Sequence, residues 1–339
     1  MPRVPIATER TSPPGSTDIF SSERSFCPPI GSRFDAADPT RGYYIDFRLK
    51  TDRPTWPPAW LKPRDQQLHV GTVQWALGAW ERHVAGEGDR WHEAARAAAD
   101  YLLSLQETDG RAVGGWTHLT PMPHTYRLDP PWLSGIVQGE AASLFVRLHA
   151  ASGDEKYAEG ARRAVDPLAT PVDVGGVLGS LDGLPFLEEY PTRPPSHVLN
   201  GAFFALWGCR DVALALSDSR AHDLYERGID ALATMIHRYD TGSWSRYDLY
   251  PHPLPNLASA AYHLLHIRQL TVAERLGGRD EFAAVRRRFD GYRDARLMRW
   301  RAFGRKVAFR LLVPRTALLA HRLPWNARIQ RRAAITNTS

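Results

Sequence analysis

Apolar residues recur three and four positions apart over most of the stretch from residue 70 to residue 290, and the runs come in pairs. Trp91, Ala94, Ala98, Tyr101 and Leu102 form one stripe. Tyr225, Ile229, Leu232, Met235 and Ile236 form another. That spacing puts one face of a helix into a core and leaves the other in water. Each stripe follows a more uniformly apolar run, from which it is separated by a polar turn: Gly88-Asp89, Gly153-Asp154, Ser217-Asp218 and Arg279-Asp280. The apolar runs open at Val73, Val137, Leu199 and Ala261, at intervals of 64, 62 and 62 residues. The repeating unit is therefore a helical hairpin plus a long loop, used four times.

Such hairpins bury their apolar faces only by stacking on one another. The pattern predicts a mainly α fold, an α/α toroid of repeated helical hairpins, with an open solenoid as the alternative. The interval is long for a solenoid repeat, and the excess lies in loops such as Gly110 to Pro131 and Asp173 to His197. These hold Trp, Tyr, His and Pro, as loops that build a site do. Residues 1–40 contain Pro13, Pro14, Pro28, Pro29 and Pro39 and read as a flexible arm. Residues 41–68 read as an extended lead-in with a short strand at Tyr43 to Leu49, where apolar and polar positions alternate. Residues 69–292 are the hairpin body and 293–339 a separate C-terminal segment.

Composition narrows the class. Of 339 residues, 43% are hydrophobic, and 11 Trp, 12 Tyr and 12 Phe exclude a disordered chain. Cys27 and Cys209 alone cannot form a disulfide scaffold or a cysteine metal cluster. Nucleotide-binding and zinc-binding motifs are missing from the sequence, so no cofactor and no metal is expected. No apolar run approaches a membrane span, and the first 17 residues lack a signal-peptide core. A cytoplasmic location, peripheral to a membrane, is the expectation.

The net charge of +6 divides unevenly. Fifteen Lys and Arg lie from Arg286 onward, against two acids. The first 285 residues hold 28 basic and 35 acidic side chains. From Arg296 to Arg322, Trp300, Phe303, Val307, Leu311 and Leu312 alternate with Arg299, Arg301, Arg305, Lys306 and Arg310. This is a basic amphipathic helix, suited either to packing on the body or to an anionic membrane face. No nucleic-acid recognition motif accompanies the charge, so nucleic acid is not expected as a partner.

Three loop-to-helix segments concentrate the candidate chemistry. They are Leu187-Glu188-Glu189-Tyr190-Pro191-Thr192 with Val198-Leu199-Asn200-Gly201, Tyr239 to Leu249, and Asn256 to His263. Each brings a tyrosine near the start of an apolar helix. A phenol can donate a proton, or accept one where its surroundings lower its pKa. A tyrosine can equally be a core ring with a bonded hydroxyl. His118, His124, His263 and His266 are isolated histidines without metal-ligand spacing.

Together with Trp132-Leu133-Ser134 and Gln138-Gly139, these segments resemble the D-glucuronyl C5-epimerases of the heparan sulfate and heparosan type. The likeness runs from about Val70 to Phe289 and falls on the family's C-terminal toroid domain. It implies inversion of C5 of D-glucuronate within a polysaccharide or lipid-linked glycan, giving L-iduronate without a nicotinamide cofactor. Carried over by position, Glu189, Tyr190, Tyr247 and Tyr262 are the catalytic candidates. Glu189 or Tyr190 would serve one face of the sugar and Tyr262 the other, while Tyr247 would orient the carboxylate. Trp116, Trp132, Gln138, Asn200, Asn256 and His263 would line the sugar subsites. The animal enzymes place an arginine and a histidine after Tyr247-Asp248-Leu249; here Tyr250 and Pro251 precede His252. Arg246, Arg193 or Arg268 would have to supply that charge. The competing readings are a polysaccharide lyase that begins with the same proton abstraction, a glycoside hydrolase using Glu189 and Asp248, and a glycan-binding toroid without catalysis. The oligomeric state is left open, a homodimer included.

Overall fold

A computed structural model describes residues 27–122, 125–277 and 279–315. His124, most of the expected N-terminal arm and the 316–322 end of the basic segment lie outside these residues. Four helical hairpins follow one another: α1 (His69–Val84) with α2 (Asp89–Leu105), α3 (Gly135–Ser152) with α4 (Glu155–Ala169), α5 (Leu199–Leu216) with α6 (Ser219–Met235), and α7 (Ala260–Arg275) with α8 (Asp280–Asp294). α9 (Arg296–Leu312) follows them. The fold is mainly α, as the periodicity predicts.

α1, α3, α5 and α7 form the inner row, with α3 packed between α1 and α5, and α5 followed by α7. Position explains their composition. α3 and α5 are buried nearly all round and need no polar face, whereas α2, α4 and α6 carry one apolar stripe each. The polar turns work as caps. Asp154 accepts from the Lys156 amide at 3.1 Å and Asp218 from the Ala221 amide at 2.9 Å, satisfying donors that the first helical turn leaves unpaired. α3 and α5 cross at Gly139 and Gly208. A Cβ on Gly208 would lie 2.3 Å from the Cα of Gly139, so the two backbones touch only because neither residue has a side chain.

α7 and α1 do not pack along each other. The gap between them is filled by residues 27–47, which enter the centre of the arc. Arg268 on α7 donates to the Cys27 and Pro28 carbonyls, each at 2.7 Å. On the α1 side, the Trp80 indole donates to the Arg41 carbonyl at 2.7 Å and the Tyr43 amide donates to Glu81. The lead-in is thus part of the ring rather than an appendage, and chain from Cys27 onward is fixed to the body.

The expected strand at Tyr43 to Leu49 is absent. Ile45 makes one bridge to Ile30, and Arg48–Lys50 form a 3-10 turn. Alternation misleads here because both sides of the segment are enclosed: Tyr44 and Asp46 are as buried as Tyr43 and Ile45. A hairpin instead stands in the 173–197 loop, β1 (Leu178–Leu181) against β2 (Leu184–Leu187). Its turn residues Asp182 and Gly183 both have positive φ, the geometry that an Asp-Gly turn accommodates.

One polar knot ties the centre together. Arg147 on α3 and Asp211 on α5 form an ion pair at 2.7 Å, with side chains 1% and 0% exposed. Arg147 also donates to the Ser143 and Gly42 carbonyls, and the Tyr44 hydroxyl donates to Asp211 at 2.5 Å. Removing Asp211 leaves an uncompensated buried guanidinium. Asp211→Ala should therefore cost roughly 3–5 kcal/mol of stability, measured by urea unfolding. A loss below about 1 kcal/mol would show that the knot does not hold the centre.

Candidate active site

The N-terminal ends of the inner helices, the loops that lead into them and α9 surround a cavity of about 500 Å³. Glu189, Tyr190, Tyr247, Tyr262, Trp132 and Asn256, all named from the sequence, line it. His118, Tyr126, Ser134 and Ser259 line it too, as do Lys306, Arg310 and Arg315.

Glu188 and Glu189 follow β2 where the chain leaves the strand and bends, and their side chains meet different surroundings. Glu188 turns inward and is used up by structure. It pairs with His197 Nδ1 at 2.6 Å and accepts from the Ser196 hydroxyl and the His197 amide, each at 2.9 Å. Glu189 turns to the cavity. Asn200 Nδ2 donates to its carboxylate at 3.3 Å. Gly201 makes room for it, since a Cβ there would lie 2.4 Å from the Glu189 Cβ. The Asn-Gly pair at the start of α5 is a seat for this one side chain.

Burial, with a smaller contribution from Glu188, pushes the Glu189 carboxyl up to about 7, against the hydrogen bonds from Tyr190 and Asn200 that favour its charged form. The Tyr190 hydroxyl stands close enough to Glu189 and Tyr247 for both to act on its proton affinity. Tyr247 acts likewise on Tyr262, and their rings meet edge to face at 5.0 Å. Burial first, then the charge of Glu189, raises Tyr190 and Tyr247 well above the usual phenol value and Tyr262 to about 12. The three phenols therefore stand protonated at neutral pH, and Glu189 is the carboxyl among them that titrates there. Tyr262 sits at N3 of α7, held by Ser259, whose hydroxyl caps its amide at 3.3 Å. It is 42% exposed, so it can exchange protons with water.

Four of the expected sugar-contacting residues stand elsewhere. Trp116 is fully buried, donates its indole N–H to the Leu102 carbonyl at 2.8 Å and packs on Phe145. His263 is fully buried and stacks on Trp244 at 3.8 Å. Its ring nitrogens face the Ser245 hydroxyl and the Phe289 carbonyl. Gln138 is buried in the first turn of α3 and bonds back to the Ser134 carbonyl. Asn200 stands behind Glu189 rather than on the cavity wall. Gln138, Asn200 and His263 sit in helix starts that the core claims first, and Trp116 lies in the enclosed loop between α2 and α3. Asp248, the second carboxylate of the hydrolase reading, is also off the wall. Tyr126 and Asn256 both donate to it, and His252 lies 3.7 Å away.

Other residues of the wall were not legible as such. His118 stacks on Trp132 at 4.0 Å, and burial drives its pKa down to about 3, so it is neutral. The three cations arrive with α9 and the residues after it. Arg305 reaches the Ser243 hydroxyl at 3.2 Å, Lys306 donates to Asn256 Oδ1 at 2.8 Å, and Arg310 donates to Thr125 Oγ1 at 3.1 Å. The basic segment thus packs its inner face over the cavity. The spacing of Lys306 and Arg310, one helical turn apart, was the available signal, but it does not say which face points inward. Arg246, Arg193 and Arg268 do not line the cavity. Arg246 donates to the Asp248 carbonyl, Arg193 pairs with Asp173 at the surface, and Arg268 holds Cys27. Among the described residues, no group of three or more His, Cys, Asp or Glu is placed to hold a metal ion.

Comparison with known proteins identifies the family. Residues 110–291 match the family model described as D-glucuronyl C5-epimerase C-terminus, and the chain belongs to that family. It is 32% identical over 205 residues to the D-glucuronyl C5-epimerase of Caenorhabditis elegans, a match covering 55% of this chain and 33% of the relative. It is 26% identical over 177 residues to an uncharacterized protein of Methanocaldococcus jannaschii, covering 49% of this chain and 57% of that one. The matches thus span about a third and just over half of these relatives.

Glu189 links the site to stability. Its carboxyl holds a proton more tightly in the fold, at about 7, than its ordinary value of 4.5. Folding is therefore penalised increasingly as pH rises from about 4.5 to about 7, and fully above that window. Glu189→Gln removes the penalty. Its melting temperature relative to the parent should rise across that window, toward a gain of ~3 kcal/mol at pH 8. A difference that stays flat from pH 4 to pH 8 would count against a carboxyl held in this way.

Proposed function

We propose that this protein inverts C5 of D-glucuronate residues in a polysaccharide or lipid-linked glycan, yielding L-iduronate. The observation that carries the proposal is one cavity carboxyl titrating near neutrality amid three protonated tyrosines, on motifs shared with the epimerase family. Glu189, as carboxylate, takes the C5 proton. The electron pair left on carbon moves into the substrate carboxyl group as an enediolate. Tyr190 and Tyr247 hold hydroxyl hydrogens where that negative charge can be stabilised. Tyr262 gives its phenolic proton to C5 from the other face, and the Tyr247 hydroxyl then bonds to the resulting phenolate. Water restores the proton to Tyr262 and removes the one on Glu189.

The surroundings favour this reading over its rivals. A hydrolase needs a second carboxylate across the cavity, and Asp248 is turned away and capped. A lyase shares the first step but must expel the 4-substituent, so only products distinguish it. A polymer needs room beyond one sugar. Past Leu68 and Val70 the cavity adjoins a second of about 600 Å³, where Trp60 is exposed beside Lys62 and Gln66. A flat exposed ring of this kind can take the apolar face of a neighbouring sugar.

Incubation with glucuronate polymers in deuterated water tests the reaction. Deuterium should enter at C5 without chain cleavage, and Tyr262→Phe should lower its rate at least 100-fold. Unsaturated products absorbing in the ultraviolet would establish the lyase instead. New reducing ends would establish the hydrolase, and full exchange in Tyr262→Phe would remove that residue from the mechanism.

The outer face of α9 supports peripheral contact with an anionic membrane that carries the glycan. Leu297, Trp300, Phe303, Val307 and Leu311 are exposed there, among Arg296, Arg299 and Arg301. Phosphatidylglycerol vesicles should sediment the protein, and Leu297→Glu with Leu311→Glu should abolish it. Equal sedimentation of parent and variant would exclude this face.

A further inference from the structure

The proposed substrate is an acid, and its reaction deepens the negative charge on its carboxyl group. The helical body offers that charge little. Its contributions to the cavity wall are Glu189, phenols, amides, hydroxyls and a neutral imidazole. Arg246, Arg193 and Arg268 are engaged elsewhere, with the Asp248 carbonyl, Asp173 and the Cys27 carbonyl.

Every cation on the described wall comes from residues 306–315. Lys306 is committed to structure. Its ammonium is held by Asn256 Oδ1 and the Leu257 carbonyl, which fixes α9 over the body. Burial, assisted by Arg310, draws its pKa down to about 7. Arg310 spends one nitrogen, Nη1, on Thr125 and keeps the rest of its planar fork unpaired among the described residues. The guanidinium of Arg315 makes no hydrogen bond among the described residues. Its backbone is fixed, since its carbonyl accepts from the Thr125 amide at 2.8 Å. Thr125 therefore holds both arginines, one by its side chain and one by its backbone, beside Tyr126 on the wall. The like charges of Lys306, Arg310 and Arg315 act against one another, and a bound anion relieves that repulsion. A guanidinium offers a carboxylate two parallel N–H donors, which a lysine cannot.

Resting on the epimerase reading above, we propose that Arg310 and Arg315 form the clamp for the substrate carboxylate, and that Lys306 and Thr125 position it. The basic segment thereby supplies the charge that the helical body does not.

The test compares binding of an oligosaccharide containing D-glucuronate with binding of the same oligosaccharide after its carboxylates are reduced to alcohols. Titration calorimetry measures both on the full chain. The parent should bind the acid form at least tenfold more tightly. Arg310→Gln with Arg315→Gln should erase that preference, leave affinity for the reduced form within twofold and raise the KM of C5 deuterium exchange by tenfold or more. Arg310→Lys should recover part of the preference, because it restores charge without the fork. An unchanged thermal melt for each variant separates lost contact from lost fold.

The two readings fail separately. A parent that prefers the acid form through these arginines but exchanges no deuterium refutes the epimerase reading and leaves the clamp standing. A parent that exchanges deuterium while the double variant keeps its preference refutes the clamp alone. A parent with no preference for the acid form also overturns the clamp, whatever its turnover.

Discussion

The buried pair between Arg147 and Asp211 is the constraint on which the rest of the arrangement depends. Two charges taken out of water are tolerated only where their remaining hydrogen-bonding capacity is met. Here that requirement recruits Tyr44 and the Gly42 carbonyl, and so draws residues 27–47 into the middle of the arc. The same pair sets α3 against α5 at one register, and the contact of Gly139 with Gly208 admits no looser one. The far ends of these helices stand next to the cavity. Ser134 precedes α3, and Asn200, in the first turn of α5, holds Glu189. A polar knot at one end of the ring thus sets geometry at the other.

The division of labour between Glu188 and Glu189 shows how a fold selects a chemical group. Two identical side chains, adjacent in sequence at the exit of β2, receive opposite environments. One is saturated by three partners and fixes the loop. The other is left with few donors and little water, and its proton affinity rises into the working range. The histidines went the opposite way. His118, His263 and His266 are all depressed to about 3 by burial, so none is a ready proton carrier at neutral pH.

The sequence made the hairpins legible because their signals are local: a helical period, a polar turn and a capping aspartate. It made Glu189, Tyr190, Tyr247 and Tyr262 legible because all four sit in the segments that carry the family likeness. It misassigned Trp116 and His263, whose residue types suit sugar contact but whose places, one in a loop and one in the first turn of α7, are enclosed by neighbours from other elements. The strand at Tyr43 to Leu49 failed for a related reason. Alternation signals one wet side only when one side is in fact wet. The cations were hidden more deeply. Lys306, Arg310 and Arg315 reach the cavity through contacts with Thr125 and Asn256, and nothing in their own spacing distinguishes an inward arginine from a solvated one.

The main apolar cluster, which runs from Cys27 to Phe289, contains no residue of α9. Ala302 belongs instead to a small satellite with Trp244 and Leu257. Packing and charge are therefore carried by different stretches of the chain: the four hairpins share one apolar cluster, while the cations of the described cavity wall come from residues 306–315. A change in the helix after residue 295 bears first on what the cavity attracts.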